Sequence, residues 1–123
     1  MILIGEIRDE ETAEIAVKAA LTGHLVLTTL HSRDALTVIQ RLKNLGISAD
    51  LLSETLNLIV SQKLVRRLCR NHRIEKNCRN CRGTSYHGRT PIYEILHLNK
   101  ELRDHIRENV SGPALMEGVE GVY

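Results

Sequence analysis

A glutamate, two histidines and a knot of sulfur and imidazole side chains are the residues of this chain whose types and spacing suit chemistry. Glu6 follows directly on the apolar run Ile2-Leu3-Ile4 and on Gly5. A carboxylate just past a buried strand sits at the strand's carboxyl edge, where open α/β sheets place their ligand chemistry. A helix cap or a plain surface acid is the competing reading of the same residue. His24 and His31 flank a β-prone run, and an imidazole at a strand end can donate, accept or change its charge near neutral pH. A structural role is the common alternative for such a histidine. Cys69-x2-His72 and Cys78-x2-Cys81 form two two-ligand hooks with five residues between them. One tight turn grips an ion with each hook, and two hooks complete a tetrahedron. Thiolate and imidazole donors suit Zn2+ best. Metal there would organise a loop with few apolar residues, a structural rather than a catalytic task. Thiols that bind no metal are the alternative.

These residues need a scaffold, and 123 residues allow one modest core. Ile2-Leu3-Ile4 reads as a short buried parallel strand. From Glu10 the period changes: Ala13, Ala16, Val17, Ala20 and Leu21 share one helical face. Acids crowd the first turn of that helix, where they complement its dipole. Gly23 is its stop. The run His24-Leu25-Val26-Leu27-Thr28-Thr29-Leu30-His31 reads as a second strand. Ser32 or Asp34 caps the next helix, with Ala35, Val38, Ile39, Leu42 and Leu45 on its apolar face. Asn44-Leu45-Gly46 ends it. Ser48 or Asp50 opens a third helix, expected to run to about Leu68. After the cysteines, the segment from Gly88 to Leu96 reads as a turn entering a strand, followed by a polar helix over Lys100 to Asn109. The tail from Ser111 is expected to be frayed. Strand, helix, strand, helix makes an α/β chain with parallel strands. Two strands with helices cannot cover both faces of a parallel sheet. Further strands are therefore expected upstream, and Met1 reads as a cut, an internal start or a fragment boundary.

Composition narrows the function classes. The chain has three Tyr and neither Phe nor Trp, so stacking platforms for single-stranded nucleic acid are poorly supplied. The opening is acidic (Glu6, Asp9, Glu10, Glu11, Glu14), while Lys63 to Arg89 carries nine Lys/Arg against one acid, Glu75. That block suits phosphate, nucleic acid or an acidic protein surface, or it is simply solvated. No apolar run of about 18 residues is present, the length a membrane span needs. The N-terminus lacks the basic region and cleavage site of a secretory signal. A cytoplasmic location is expected, and in that setting clustered cysteines favour metal over disulfides.

Four segments resemble one family in its own order. Ile2-Leu3-Ile4-Gly5-Glu6-Ile7-Arg8-Asp9-Glu10-Glu11-Thr12 is similar to the atypical Walker B segment of the type II secretion, type IV pilus and competence traffic ATPases. There Gly precedes the Glu, where most P-loop enzymes have Asp. The segment from Leu21 to Ser32 resembles the family's histidine box. Gln62-Lys63-Leu64-Val65-Arg66-Arg67-Leu68-Cys69 resembles its turn into a cysteine motif. Gly88-Arg89-Thr90-Pro91-Ile92-Tyr93-Glu94 resembles its Gly-Arg-Thr-x-hydrophobic-aromatic-Glu strand. Together they cover about Met1 to Leu96.

The resemblance implies a partial RecA-like P-loop ATPase core over 1–68, a zinc motif and following strand over 69–96, and a C-terminal helix and tail over 97–123. It implies that Glu6 is the catalytic Walker B glutamate, orienting the water that attacks the γ-phosphate of ATP. His31 would sit near that phosphate, and His24 would organise the loop and its subunit contacts. Arg8 would reach a phosphate or a neighbouring subunit's acid, although a solvated ion pair is the default for a surface arginine. Arg41, Gln62 and Arg66 match positions the family retains. Cys69, His72, Cys78 and Cys81 would hold structural Zn2+; family members often carry two C-x2-C pairs and a longer spacer, so this chain departs in His72 and in its short loop. ATP and Mg2+ would serve a homohexameric parent working against an inner-membrane platform protein, at the inner face of the cell membrane. The cysteine motif tilts the expectation towards assembly, secretion or competence rather than retraction. No G-x-x-x-x-G-K-[ST] phosphate-binding loop occurs in the chain, so it is expected not to turn over ATP by itself.

Two other readings compete. A zinc-dependent module could bind nucleic acid through the basic block, with a steep salt dependence; scarce aromatics and the unexplained Glu6 and His31 count against it. A truncated reading frame without independent function predicts a poorly soluble chain, its sheet edge and one face uncovered.

Overall fold

A computed structural model describes residues 1–73 and 78–108, with the side chains of His72 and Arg73 outside that description. The expectation for the tail from Ser111 falls outside it. In order along the chain, the elements are strand β1 (Ile2–Ile4), helix α1 (Glu10–Leu21), strand β2 (Val26–Thr28), helix α2 (Ala35–Asn44) and helix α3 (Ala49–Thr55). Strand β3 (Leu58–Leu68), a 3-10 turn (Arg70–Arg73), strand β4 (Tyr86–His97) and helix α4 (Lys100–Arg107) follow. β1 and β2 pair in parallel, with Ile2, Leu3 and Ile4 opposite Val26, Leu27 and Thr28. β3 and β4 form a separate two-stranded sheet. Bonds from Cys69 N–H to the Ser85 carbonyl and from Leu98 N–H to the Asn57 carbonyl close its opposite ends, so those strands run antiparallel.

The helix boundaries follow from side-chain chemistry. Asp9, Asp34, Ser48 and Asn99 cap α1, α2, α3 and α4, each accepting the backbone N–H three residues on. Each such cap stabilises by about 1 kcal/mol. Gly23 and Gly46 lie just past α1 and α2 at φ +86° and +85°, a conformation that side chains with a Cβ resist.

The chain divides into two compact units, Met1–Ser61 with the chain from Glu94 onward, and Gln62–Tyr93. The first holds an apolar core: Ala13, Ala16 and Val17 from α1, Ala35, Ile39 and Leu42 from α2, Leu52 from α3, and Leu102 and Ile106 from α4. Leu52 and Ile106 are fully buried, each contributing about 1.5–3 kcal/mol by leaving water. Buried Ser53 is fully bonded. Its hydroxyl donates to the Asp50 carbonyl at 2.7 Å and accepts Arg107 Nε at 2.8 Å. Its carbonyl accepts Arg103 Nη1. Arg103 further donates to the Leu98 carbonyl (3.1 Å) and Asn57 Oδ1 (2.9 Å). One planar guanidinium thereby ties α3, the following loop and α4 together. Among the described residues, the second unit's buried cluster is Cys69, Cys78 and Cys81.

Three sequence expectations change. The third helix stops at Thr55 rather than near Leu68, because Leu56 is extended and Leu58–Leu68 is a strand paired with β4. The second strand covers three residues of the expected eight. β1 is not buried: Leu3 is 77 % exposed and its register partner Leu27 47 %. Only the opposite face, with Ile4 and Val26, packs against the core.

Candidate functional site

Glu6 stands two residues beyond β1, and the backbone around it is pinned to the chain beyond β2. Ile7, almost fully buried, donates its N–H to the Thr29 carbonyl at 3.0 Å. The Thr29 hydroxyl donates to the Gly5 carbonyl at 2.6 Å. Two bonds thus flank the Glu6 peptide on both sides, and they set its side chain beside the segment that ends β2.

On that frame the carboxylate gathers a guanidinium and an imidazole. Arg8 donates from Nε (2.7 Å) and Nη2 (2.6 Å) to Oε2. His31 Nε2 lies 3.2 Å from Oε1, an ion pair when the imidazole is protonated. The Glu6 side chain is 19 % exposed, against 76 % for Arg8 and 87 % for His31, so the acid is recessed beneath its two exposed partners. The guanidinium hydrogen bond from Arg8 holds the Glu6 carboxyl below its usual range against partial desolvation, and the charges of Arg8, His31 and Arg41 act in the same direction. The same pairing raises Arg8. Chemically, this is a recessed anion whose partners could both turn to a better one, such as a phosphate.

The remaining candidates sit elsewhere. His24 precedes β2, at the end opposite Glu6, with its Nδ1 3.1 Å from the Thr22 hydroxyl. That hydroxyl also donates to the Ala19 carbonyl at 2.8 Å, which ties His24 to the end of α1. Gln62 and Arg66 are exposed residues of the second unit. The Arg66 guanidinium lies 5.7 Å from the centroid of Tyr86, a cation–π contact. Sequence reasoning had no role for Thr29, whose only signal was a polar side chain inside an apolar run. It also gave none to Glu94, whose Oε2 accepts the Ala35 N–H at 3.0 Å.

In the second unit, Cys69, Cys78 and Cys81 are buried, and their sulfurs lie within 4.8 Å of one another. Cys69 follows β3, fixed by its backbone bond to Ser85. Cys78 and Cys81 share one turn, in which Arg82 N–H bonds to the Cys78 carbonyl and Thr84 N–H to that of Cys81, both at 2.9 Å. The Cys69 and Cys78 sulfurs are 3.6 Å apart. Zinc with Zn–S bonds of about 2.3 Å sets tetrahedral sulfurs about 3.8 Å apart, close to the spacing of Cys69 and Cys78. The backbone N–H of Cys81 lowers the Cys78 thiol, and that of Asn80 adds to it against desolvation, favouring the thiolate that a metal needs. His72, expected as the fourth ligand, has its side chain outside the described residues.

With this geometry stand three kinds of similarity. Residues 1–120 match the protein family described as "Type II/IV secretion system protein". The chain is 46 % identical over 110 residues to "Type II secretion system protein HxcR" of Pseudomonas aeruginosa, covering 84 % of this chain and 24 % of that one. It is 40 % identical over 144 residues to "Type IV pilus assembly ATPase PilB" of Myxococcus xanthus, covering 95 % of this chain and 25 % of the relative. In structure it is similar to the Legionella pneumophila ATPase DotB, with a TM-score of 0.65, 27 % identity, and coverage of 87 % of this chain and 28 % of that one. The chain thus spans about a quarter of the length of the curated relatives it matches.

Proposed function

Because the chain belongs to the type II/IV secretion system protein family, we propose that it forms part of the ATP-hydrolysing site of a motor that drives pilus assembly, pseudopilus-based secretion or competence DNA uptake. The observation that carries this reading is the convergence of Glu6, Arg8 and His31 at the end of a parallel strand pair. Glu6 is the group that orients the attacking water. In the arrangement described, both of its oxygens are engaged, so it is held back from that task. A γ-phosphate is a stronger anion than a carboxylate and would draw Arg8 and His31 to itself. That transfer frees the acid at the moment a substrate is present. Mg2+, when bound with the nucleotide, would neutralise phosphate charge. The 123 residues contain no G-x-x-x-x-G-K-[ST] loop, so the grip on the β- and γ-phosphates must come from other polypeptide, and this chain alone is inactive.

Arg41 adds positive potential to the same site, while His24 and the second-unit residues Gln62 and Arg66 serve loop order or subunit contacts. Cys69, Cys78 and Cys81, with His72 as fourth ligand, hold structural Zn2+. The working assembly is a homohexamer at the cytoplasmic face of the inner membrane, bearing on a membrane platform protein. Among the described residues no helix is long and apolar enough to cross a membrane. The test is Glu6→Gln in the full-length protein. ATP turnover should fall about 100-fold or more, the scale of a lost catalytic base, while nucleotide affinity stays within about threefold. Turnover at the wild-type rate would overturn the assignment.

A further inference from the structure

Glu94 belongs to the segment Gly88–Glu94, which the activity proposed above leaves without a task. It lies 59 residues from its partner in sequence, half-buried, and its Oε2 accepts the Ala35 N–H at 3.0 Å. Ala35 is the first residue of α2 and is almost fully buried. Asp34 caps the same helix but spends its carboxylate on the Thr37 N–H and hydroxyl. The two acids therefore satisfy different donors of one helix start, where backbone N–H groups have no partner inside the helix. A charged acceptor in that position gives a stronger bond than a neutral one, and the helix dipole adds to it.

What α2 carries gives the tether its meaning. His31 stands four residues before Ala35, and the intervening turn is closed by the Ser32 hydroxyl donating to the Asp34 carbonyl at 2.7 Å. Arg41 is on α2 itself. We propose that Glu94 is a positioning residue: by holding the Ala35 N–H it fixes the start of α2, and with it the placement of His31 and Arg41 around Glu6. This deepens the catalytic reading of Glu6 and rests on it for its functional half. The strand end that contains Glu94 thereby acquires a mechanical purpose, acting on the site through α2.

The test combines hydrogen exchange, read peptide by peptide, with steady-state ATP turnover in the full-length protein. Glu94→Ala removes the acceptor. Glu94→Asp keeps the charge but shortens the reach by one methylene. Glu94→Gln keeps an acceptor oxygen at full length. In the Ala and Asp variants, exchange across His31 to Val38 should accelerate about tenfold or more, the effect of losing one charge-assisted bond. Peptides from α1 should be unchanged, and kcat should fall with the KM for ATP within about twofold. The Gln variant should restore both readouts to within about threefold. Wild-type exchange in both the Ala and Asp variants would overturn the tether, and acceleration in Gln equal to that in Ala would overturn it as a hydrogen bond. Should Glu94→Ala unfold, with exchange raised throughout, Glu94→Asp decides. Local acceleration with unaltered kcat would overturn the positioning role. A normal rate in Glu6→Gln would instead sink the reading of the site, leaving the exchange result standing.

Discussion

Glu6 shares one carboxylate between a guanidinium and an imidazole, and Arg8 is the stronger of the two claims on it. Replacing Arg8 by Ala should therefore move the Glu6 carboxyl up towards the ordinary value of 4.5. The check is a titration of the Glu6 side-chain carbon by NMR in wild-type and variant protein. No upward movement would mean the pairing is absent in solution. The direction fixes the pH window. Glu6 and Asp9 both have lowered carboxyls, Asp9 through the backbone N–H and then the hydroxyl of Thr12. Their contribution to stability is complete above the unfolded values and disappears as pH falls through the folded ones. Acid below about pH 4 should release both, with no matching loss on the alkaline side. At this scale the sequence said a good deal: Glu6 and His31 were legible as candidates because each ends an apolar run. Arg8 as the partner of Glu6 was not: residues two apart along an extended chain share a face, so the spacing allows the pair, but a surface arginine has several acids within reach and nothing in the sequence selects Glu6.

Among the elements, α1 and α2 could be read, because a helical period of apolar residues is a local signal. The sequence reading narrows the cap of α2 to Ser32 or Asp34, and Asp34 holds it, whereas it does not name Asp9 as the cap of α1. β3 could not. Leu52, Leu56 and Ile59 continue a helical spacing across the real end of α3. What makes Leu58–Leu68 a strand is its pairing with Tyr86–His97, a contact no local window contains. The same long range hides the role of Arg103, whose acceptors Ser53 and Asn57 are 50 and 46 residues away. Arg103→Ala should lower the unfolding free energy by about 2–3 kcal/mol, the scale of losing several charge-assisted bonds to a half-buried donor. Urea denaturation measures this, and a shift under about 0.5 kcal/mol would show the network to be worth no more than a surface ion pair.

For the molecule as a whole, the two units owe their cohesion to different physics. Among the described residues, the first has fourteen buried apolar residues in one cluster. The second has only its three cysteines among the described residues, too little apolar surface to order a chain of that length without help. If Zn2+ supplies that help, a strong chelator should abolish exchange protection between Cys69 and Ser85 while α1 to α4 keep theirs. Elemental analysis should find one zinc per chain, lost on Cys78→Ser. Unchanged protection after verified metal removal would reject the structural role. The cysteine spacing announced this cluster plainly, whereas the division at Ser61 and Tyr93 did not show, because it cuts through the middle of two strands.

The parallel register of β1 on β2 also works as a ruler. Counting from Ile4 opposite Thr28, the acid lies two residues further along one rail and the imidazole three along the other. Both lie beyond the strand ends, where the bonds from Ile7 N–H to the Thr29 carbonyl and from the Thr29 hydroxyl to the Gly5 carbonyl carry the alignment on. A residue added or dropped between Ile4 and Glu6, or between Thr28 and His31, should therefore cost the meeting of acid and imidazole.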